Sequence, residues 1–206
     1  MSAVKAKWTI FLSLILTLVI CTGVMAGEWI TDKKSKVKVW SPHPVITVEW
    51  AGGTKDGFAD GKGTMKWFED GVLSEKIEGT FVKGKAEGKC SFELYKQGKA
   101  AVTGTADFKD GKANGAGEVA WADGRKYKGD VKNGKENGHG VLTWKNGASF
   151  DGEFKDGVRD GKGTFTTADG TKYQGTFVNG MPHGQFTITH PDGKVENKTV
   201  ENSLAK

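Results

Sequence analysis

The 206-residue sequence predicts an all-β protein: an elongated, twisted antiparallel meander of β-hairpin repeats, with an N-terminal signal or anchor helix in front. Three observations carry that reading. Glycine supplies 31 of the residues, roughly twice the ordinary ~7%. Only 4 residues are proline, which excludes collagen and Pro-rich linkers, while aromatics still reach 10%. Glycines, rings and Asn-Gly or Asp-Gly pairs then recur at a fixed interval, the mark of a repeat architecture. Helices fit poorly, because each internal glycine costs them ~1 kcal/mol. A wholly disordered chain would lack these rings.

The N-terminus comes first. Lys5 and Lys7 precede a stretch over 8–27 without a single charge, and Val24-Met25-Ala26 offers small or branched residues at a cleavage site. A basic start, an apolar core and such a site read as a secretory signal peptide over 1–26. The alternative is an uncleaved anchor over 8–27, just long enough to span a bilayer. A lipoprotein box at Cys21 is disfavoured by the bulky Ile20 before it, and Lys33, Lys34, Lys36 and Lys38 oppose export of their side. The expected location is therefore outside the cytoplasm, periplasmic or secreted, with tethering to the inner membrane as the variant. Residues 27–44 read as a linker.

Six repeats follow, over about 50–193, inside a sheet domain expected at 45–200 with a tail at 201–206. Three segments beginning at Tyr127, Phe150 and Tyr173 superpose without gaps at 23 residues. Looser copies begin at Trp50, Ile77 and Val102. Turn pairs such as Asn133-Gly134, Asp156-Gly157 and Asn179-Gly180 accept the positive φ of tight hairpins. They leave strands of about five or six residues. Pro44–Glu49 and Lys194–Val200 read as the first and closing strands.

Period-two alternation assigns the faces. Trp50, Ile77, Val102, Tyr127, Phe150 and Tyr173 form one column, followed two residues on by glycines 52, 79, 104, 129, 152 and 175. The second strand adds Met65, Phe92, Val119, Leu142, Phe165 and Ile188, then Trp67, Leu94, Trp121 and Trp144. The opposite face is charged. A ring beside a bare glycine can lie over its neighbour's backbone, and the glycines let the sheet curl.

The pattern aromatic-x-Gly-x4-Gly-x3-Gly-x-Gly at Tyr127, Gly129, Gly134, Gly138 and Gly140, and again at Phe150, Gly152, Gly157, Gly161 and Gly163, resembles the MORN repeat (membrane occupation and recognition nexus). The resemblance covers all six copies. It implies a hairpin-repeat sheet used for scaffolding, dimerisation or, in some members, contact with phospholipid headgroups. Cys90 and Phe186 depart from it where other copies carry glycine.

No residue cluster suggests catalysis: His43, His139, His183 and His190 lack a nucleophile or a metal-ligand spacing. We therefore expect no enzyme, no cofactor and no metal. Asp56 with Asp60, Asp110 with Asn114 and Asp156 with Asp160 echo oxygen-ligand loops, but Phe58, Lys112 and Val158 interrupt them and turn chemistry accounts for the acids. Cys90 reads as a small buried hydrophobe. The net charge of +5 is mild and argues against nucleic acid.

The expected activity is that of a non-enzymatic scaffold binding another protein through an aromatic stripe at Tyr127, Phe150, Tyr173, Trp121 and Trp144. The alternative is a peripheral binder of anionic phospholipid, using a lysine rim at Lys83, Lys85, Lys109, Lys112, Lys132, Lys135 and Lys155.

Overall fold

The computed structural model describes residues 28–41 and 47–200. The expected signal or anchor over 1–26 and the tail over 201–206 lie outside the described residues. Among those described there is no helix long and apolar enough to cross a membrane; all regular structure is strand.

The meander is present. β1 (Glu28–Thr31) and β2 (Lys38–Ser41) form a first hairpin. Six two-stranded repeats follow: β3 (Thr47–Lys55) with β4 (Phe58–Glu69), β5 (Val72–Val82) with β6 (Lys85–Lys96), and β7 (Lys99–Lys109) with β8 (Lys112–Trp121). Then come β9 (Lys126–Lys132) with β10 (Lys135–Thr143), β11 (Ser149–Lys155) with β12 (Val158–Thr166), and β13 (Lys172–Val178) with β14 (Met181–Thr189). β15 (Val195–Val200) closes the edge as expected. Every neighbouring pair is antiparallel except the single parallel bridge Lys38↔Phe58 between β2 and β4.

The linker expected over 27–44 is corrected: much of it is the β1–β2 hairpin. Its lysines conceal an alternation in which Val37 and Val39 point inward and are buried, while Lys38 faces out. Asp32 pins the hairpin. Its carboxylate accepts the amides of Lys34 (2.9 Å) and Ser35, the Ser35 hydroxyl and the amide of Trp50 in β3 (3.4 Å). Burial alone raises its pKa, but these four bonds outweigh burial and hold it below the usual value.

The strands of the six repeats run to between 7 and 12 residues, longer than the five or six expected. The glycine four residues beyond each hairpin-turn glycine is not itself a turn. Gly61, Gly88, Gly115, Gly138, Gly161 and Gly184 all have positive φ inside a strand, where the register slips by a residue or more. One glycine bulge per repeat bends and twists the sheet without ending the strand. Two true turns escape the Asn/Asp-Gly rule, because Lys83-Gly84 and Gln97-Gly98 adopt the same left-handed pair.

Pairing also corrects the third copy. Trp50 faces Met65, Ile77 faces Phe92 and Tyr127 faces Leu142, but the partner of Val119 is Gly104, not Val102. Gly104 thus occupies the ring column and Ala106 the glycine column. Phe108 then joins Phe81, Phe154 and Phe177 in the next apolar position.

Ring-over-glycine packing is realised. A side chain at Gly140 would meet the Tyr127 ring at 2.5 Å, and one at Gly163 the Phe150 ring at 2.4 Å. Where the motif departs, the substitute does the covering: the Cys90 sulfur lies over Gly79 and the Phe186 ring over Gly175. The core forms two clusters. The first joins Val37 and Val39 of the hairpin region to Trp50, Met65, Phe81, Cys90 and Phe108. The second is built on Tyr127, Phe150, Phe154, Phe177 and Phe186.

Candidate functional site

Each repeat docks on the one before through its tight turn. The turn amides of Gly84, Gly111, Gly134, Gly157 and Gly180 donate to the carbonyls of Ala59, Ala86, Ala113, Glu136 and Arg159, at 2.8–3.0 Å. Beside four of these bonds, a side chain of the earlier repeat accepts the preceding amide: Asp60 from Lys83, Glu87 from Asp110, Asn114 from Asn133 and Asp160 from Asn179. Of the residues that echo calcium loops, Asp60, Asn114 and Asp160 therefore have backbone partners in the next repeat. Among the described residues no group of three or more His, Cys, Asp or Glu side chains could hold a metal.

The seven rim lysines fall along one edge, Lys83 within a turn and the other six at the ends of strands beside these turns. Acids are interleaved with them. Lys85 lies 3.7 Å from Asp110, and its ammonium also sits 5.9 Å from the Trp40 ring. On the charged face, cross-strand pairs form between Lys76 and Glu93 (2.9 Å), Lys128 and Glu118 (2.7 Å), and His139 and Asp151 (2.9 Å). His190 pairs with Glu196 at 3.0 Å.

The structure divides the expected aromatic stripe. Tyr127 is 2% exposed and Phe150 0%, so both belong to the core and the expectation of a contact role for them is corrected. Bulged strands fold their rings over glycine backbones, and edge-to-face neighbours seal them: Phe150 against Phe154 (5.3 Å) and Phe177 (4.9 Å), Tyr127 against Phe154 (5.3 Å). The Tyr127 hydroxyl donates to the Asp130 carbonyl at 2.7 Å. Burial, with smaller contributions from Glu136 and Asp130, pushes that phenol up.

Trp121, Trp144 and Tyr173 remain half-buried, and Phe165 joins them. Phe165 lies 5.7 Å from Trp144 and 6.4 Å from Tyr173. Its place in the second-strand column was visible in the sequence; its partial exposure was not. On the same face of the first three repeats, Val37, Val39 and Ile30 of the hairpin region pack beside the buried Trp67, while Phe92 of repeat two and Trp121 of repeat three stay half-buried.

Charged side chains also lie on the apolar face, and the alternation pattern overlooks their importance. The Arg125 guanidinium stacks 5.0 Å from the Trp121 ring. Arg159 sits over Trp144 (5.9 Å), Phe150 (5.4 Å) and Phe177 (5.4 Å), and donates to the Gly180 carbonyl at 2.7 Å. In the register of Arg159, the first three repeats carry Ala59, Ala86 and Ala113, and the fourth carries Glu136. Burial pushes the Glu136 carboxyl up, against a smaller pull from Arg125. Between the two core clusters lies a cavity of about 90 Å³, lined by Phe92, Ala106, Ala113, Val119, Tyr127 and Glu136 among others. It opens where Gly104 leaves the ring column empty, beside Ala106.

Glu75 faces the same side as Ile77, and burial raises its carboxyl to about 7. A raised carboxyl is neutral at no cost in acid and is penalised as the pH climbs from 4.5 towards 7. Glu75→Gln should therefore melt with the native chain at pH 4 and above it at pH 8. Thermal melts at both pH values check this, and equal melting at pH 8 would refute it.

The chain matches the MORN repeat family over residues 50–71, 78–99, 105–124, 127–149, 150–172 and 173–195. The third match starts after Gly104, in keeping with the shifted register. No curated protein is similar enough to match. Among solved structures, the TCP domain of SAS-4 (dCPAP) of Drosophila melanogaster, in complex with a proline-rich motif of Ana2 (dSTIL), is 17% identical. That match covers 84% of this chain and 90% of that one, with a TM-score of 0.44. Repeats of the MORN family in general mediate interactions with proteins or membranes. Six matched segments, together more than half of the sequence and each coincident with a repeat of the sheet, make this chain a member of the MORN repeat family.

Proposed function

We propose that the chain is an exported, non-catalytic scaffold of the cell envelope that holds a protein partner on the apolar face of its last three repeats. One observation carries the reading. Trp144, Phe165 and Tyr173 stay half-buried there, as Trp121 does at the end of the third repeat, whereas Val37, Val39 and Ile30 of the chain's own hairpin region pack on the same face of the earlier repeats. Half-exposed Trp and Tyr rings over a rigid sheet are good anchors, since they bury large area at little entropic cost. Export rests on the N-terminal charge and hydropathy pattern. The lysine rim favours lipid less, because acids alternate with the lysines.

The test is a photo-crosslinking capture from the envelope fraction of source cells. Trp144→Ala combined with Phe165→Ala should abolish the crosslinked partner while costing only about 2–3 kcal/mol of stability. A double charge reversal at Lys132 and Lys155 should leave capture intact. Capture that survives loss of both rings and fails on the lysine reversal, with flotation on anionic liposomes, would replace the protein reading by the lipid one.

A further inference from the structure

The chain displays on its first repeats what its row of turns can hold. The amide of Lys38 donates to the Gly57 carbonyl at 2.8 Å, and the amide of Trp40 donates to the Gly84 carbonyl at 3.1 Å. Two residues of extended strand thus match one repeat. Val37 and Val39, which alternate with these donors, are buried below, over a floor made small by Ala59 and Ala86. The geometry of the row then recurs. Gly134, Gly157 and Gly180 turn their amides inward onto the previous repeat, as Gly84 does, which directs their carbonyls to the same side.

The floor changes after repeat three: Glu136 takes the alanine register in repeat four and Arg159 takes it in repeat five. Where the hairpin meets alanine, a partner would meet the Arg159 guanidinium. Burial pulls that group below its ordinary pKa, and no carboxylate compensates it. Among the described residues its neighbours are three rings and the Gly180 carbonyl. A guanidinium offers five N–H donors in a fork that fits a carboxylate. Held in an apolar setting, it gains more from an anion than it would in water.

We propose that the apolar face of repeats four to six binds an extended peptide of a partner protein, which places an acidic side chain on Arg159 between apolar side chains and donates backbone N–H groups to the Gly134 and Gly157 carbonyls. This rests on the protein-binding reading above and adds the chemistry of the partner to it. The mode is strand-like recognition, in which the backbone supplies affinity and alternate side chains supply selectivity.

The test selects a phage-displayed library of random peptides on the full chain and measures synthetic versions of the enriched sequences by fluorescence anisotropy. Enriched peptides should share an acidic residue flanked by apolar ones. Exchanging that acid for its amide should weaken binding roughly tenfold, and so should Arg159→Leu, with no further loss when both changes are combined. Arg159→Lys, which keeps the charge but loses the fork, should fall between. N-methylation at alternate backbone positions should abolish binding. Circular dichroism melts establish that each variant is folded. Enriched peptides that lack an acid and bind Arg159→Leu as well as the native chain would overturn this inference and leave the scaffold reading standing. Failure of any peptide to enrich would count against both.

Discussion

Phe150→Ala is expected to cost about 4 kcal/mol of folding stability, from a total that is ordinarily ~5–15 kcal/mol. The ring is fully buried, touches Phe154 and Phe177 edge-on, supports the Arg159 guanidinium and covers two glycines. Its loss opens a cavity that neighbours cannot close, because the floor is backbone. Urea unfolding followed by tryptophan fluorescence measures the change. Phe165→Ala, at a half-buried ring, should cost about half as much or less. Since the two core clusters are distinct, the loss should also be uneven. Hydrogen exchange should quicken over 127–200 before it does over 47–110. A midpoint unchanged by Phe150→Ala would mean that the ring is not in the core.

The second large effect comes from adding one carbon. Gly152→Ala places Cβ 2.5 Å from the Gly163 Cα and 2.6 Å from the Lys162 carbonyl oxygen. Both are backbone, so relief requires strands β11 and β12 to part. Gly163→Ala meets mainly the Phe150 ring, at 2.4 and 2.6 Å. Each change should cost about 3 kcal/mol. They should respond differently to a smaller neighbour. Phe150→Leu should recover much of the loss at Gly163→Ala and little at Gly152→Ala, where the ring, at 2.8 Å, is only the third contact; a double-mutant cycle in urea reads the difference directly. Equal recovery at both sites would mean that the ring alone sets the limit. Neither glycine has positive φ, so space and not backbone conformation is the cause. Gly147→Ala is the control: its surroundings are open, its φ is +87, and only about 1–2 kcal/mol of strain is expected.

Much of the architecture was legible from local rules. Asn133-Gly134 and Asp156-Gly157 are left-handed turns because those residue types tolerate positive φ, which is a property of the dipeptide alone. The facing columns also emerged, since alternation fixes which side chains share a face. Misreadings arose where a choice depended on a distant strand. Val102 and Gly104 are both two residues from a plausible column position, and only pairing with Val119 on β8 decides between them. Lys83-Gly84 and Gln97-Gly98 lack the usual turn residue, and the strands on either side impose the conformation. The β1–β2 hairpin was hidden because four lysines outweighed Val37 and Val39 in any average.

The site follows the same division. That rings lie beside glycines, on one face, is written in the spacing of Tyr127, Gly129, Phe150 and Gly152. The repeat, the strand alternation, the turn chemistry and the family all follow from residue spacing alone. Which rings are sealed and which stay half-open depends on the packed sheet. Sealing depends on what crosses above a residue: Phe177 over Phe150, and the hairpin over Trp50 and Phe81 of the first repeats. Those partners are separated along the chain by a repeat or more, and nothing local encodes their approach. The same holds for Arg159 and Glu75, which read as ordinary surface charges until the packed sheet removes their water.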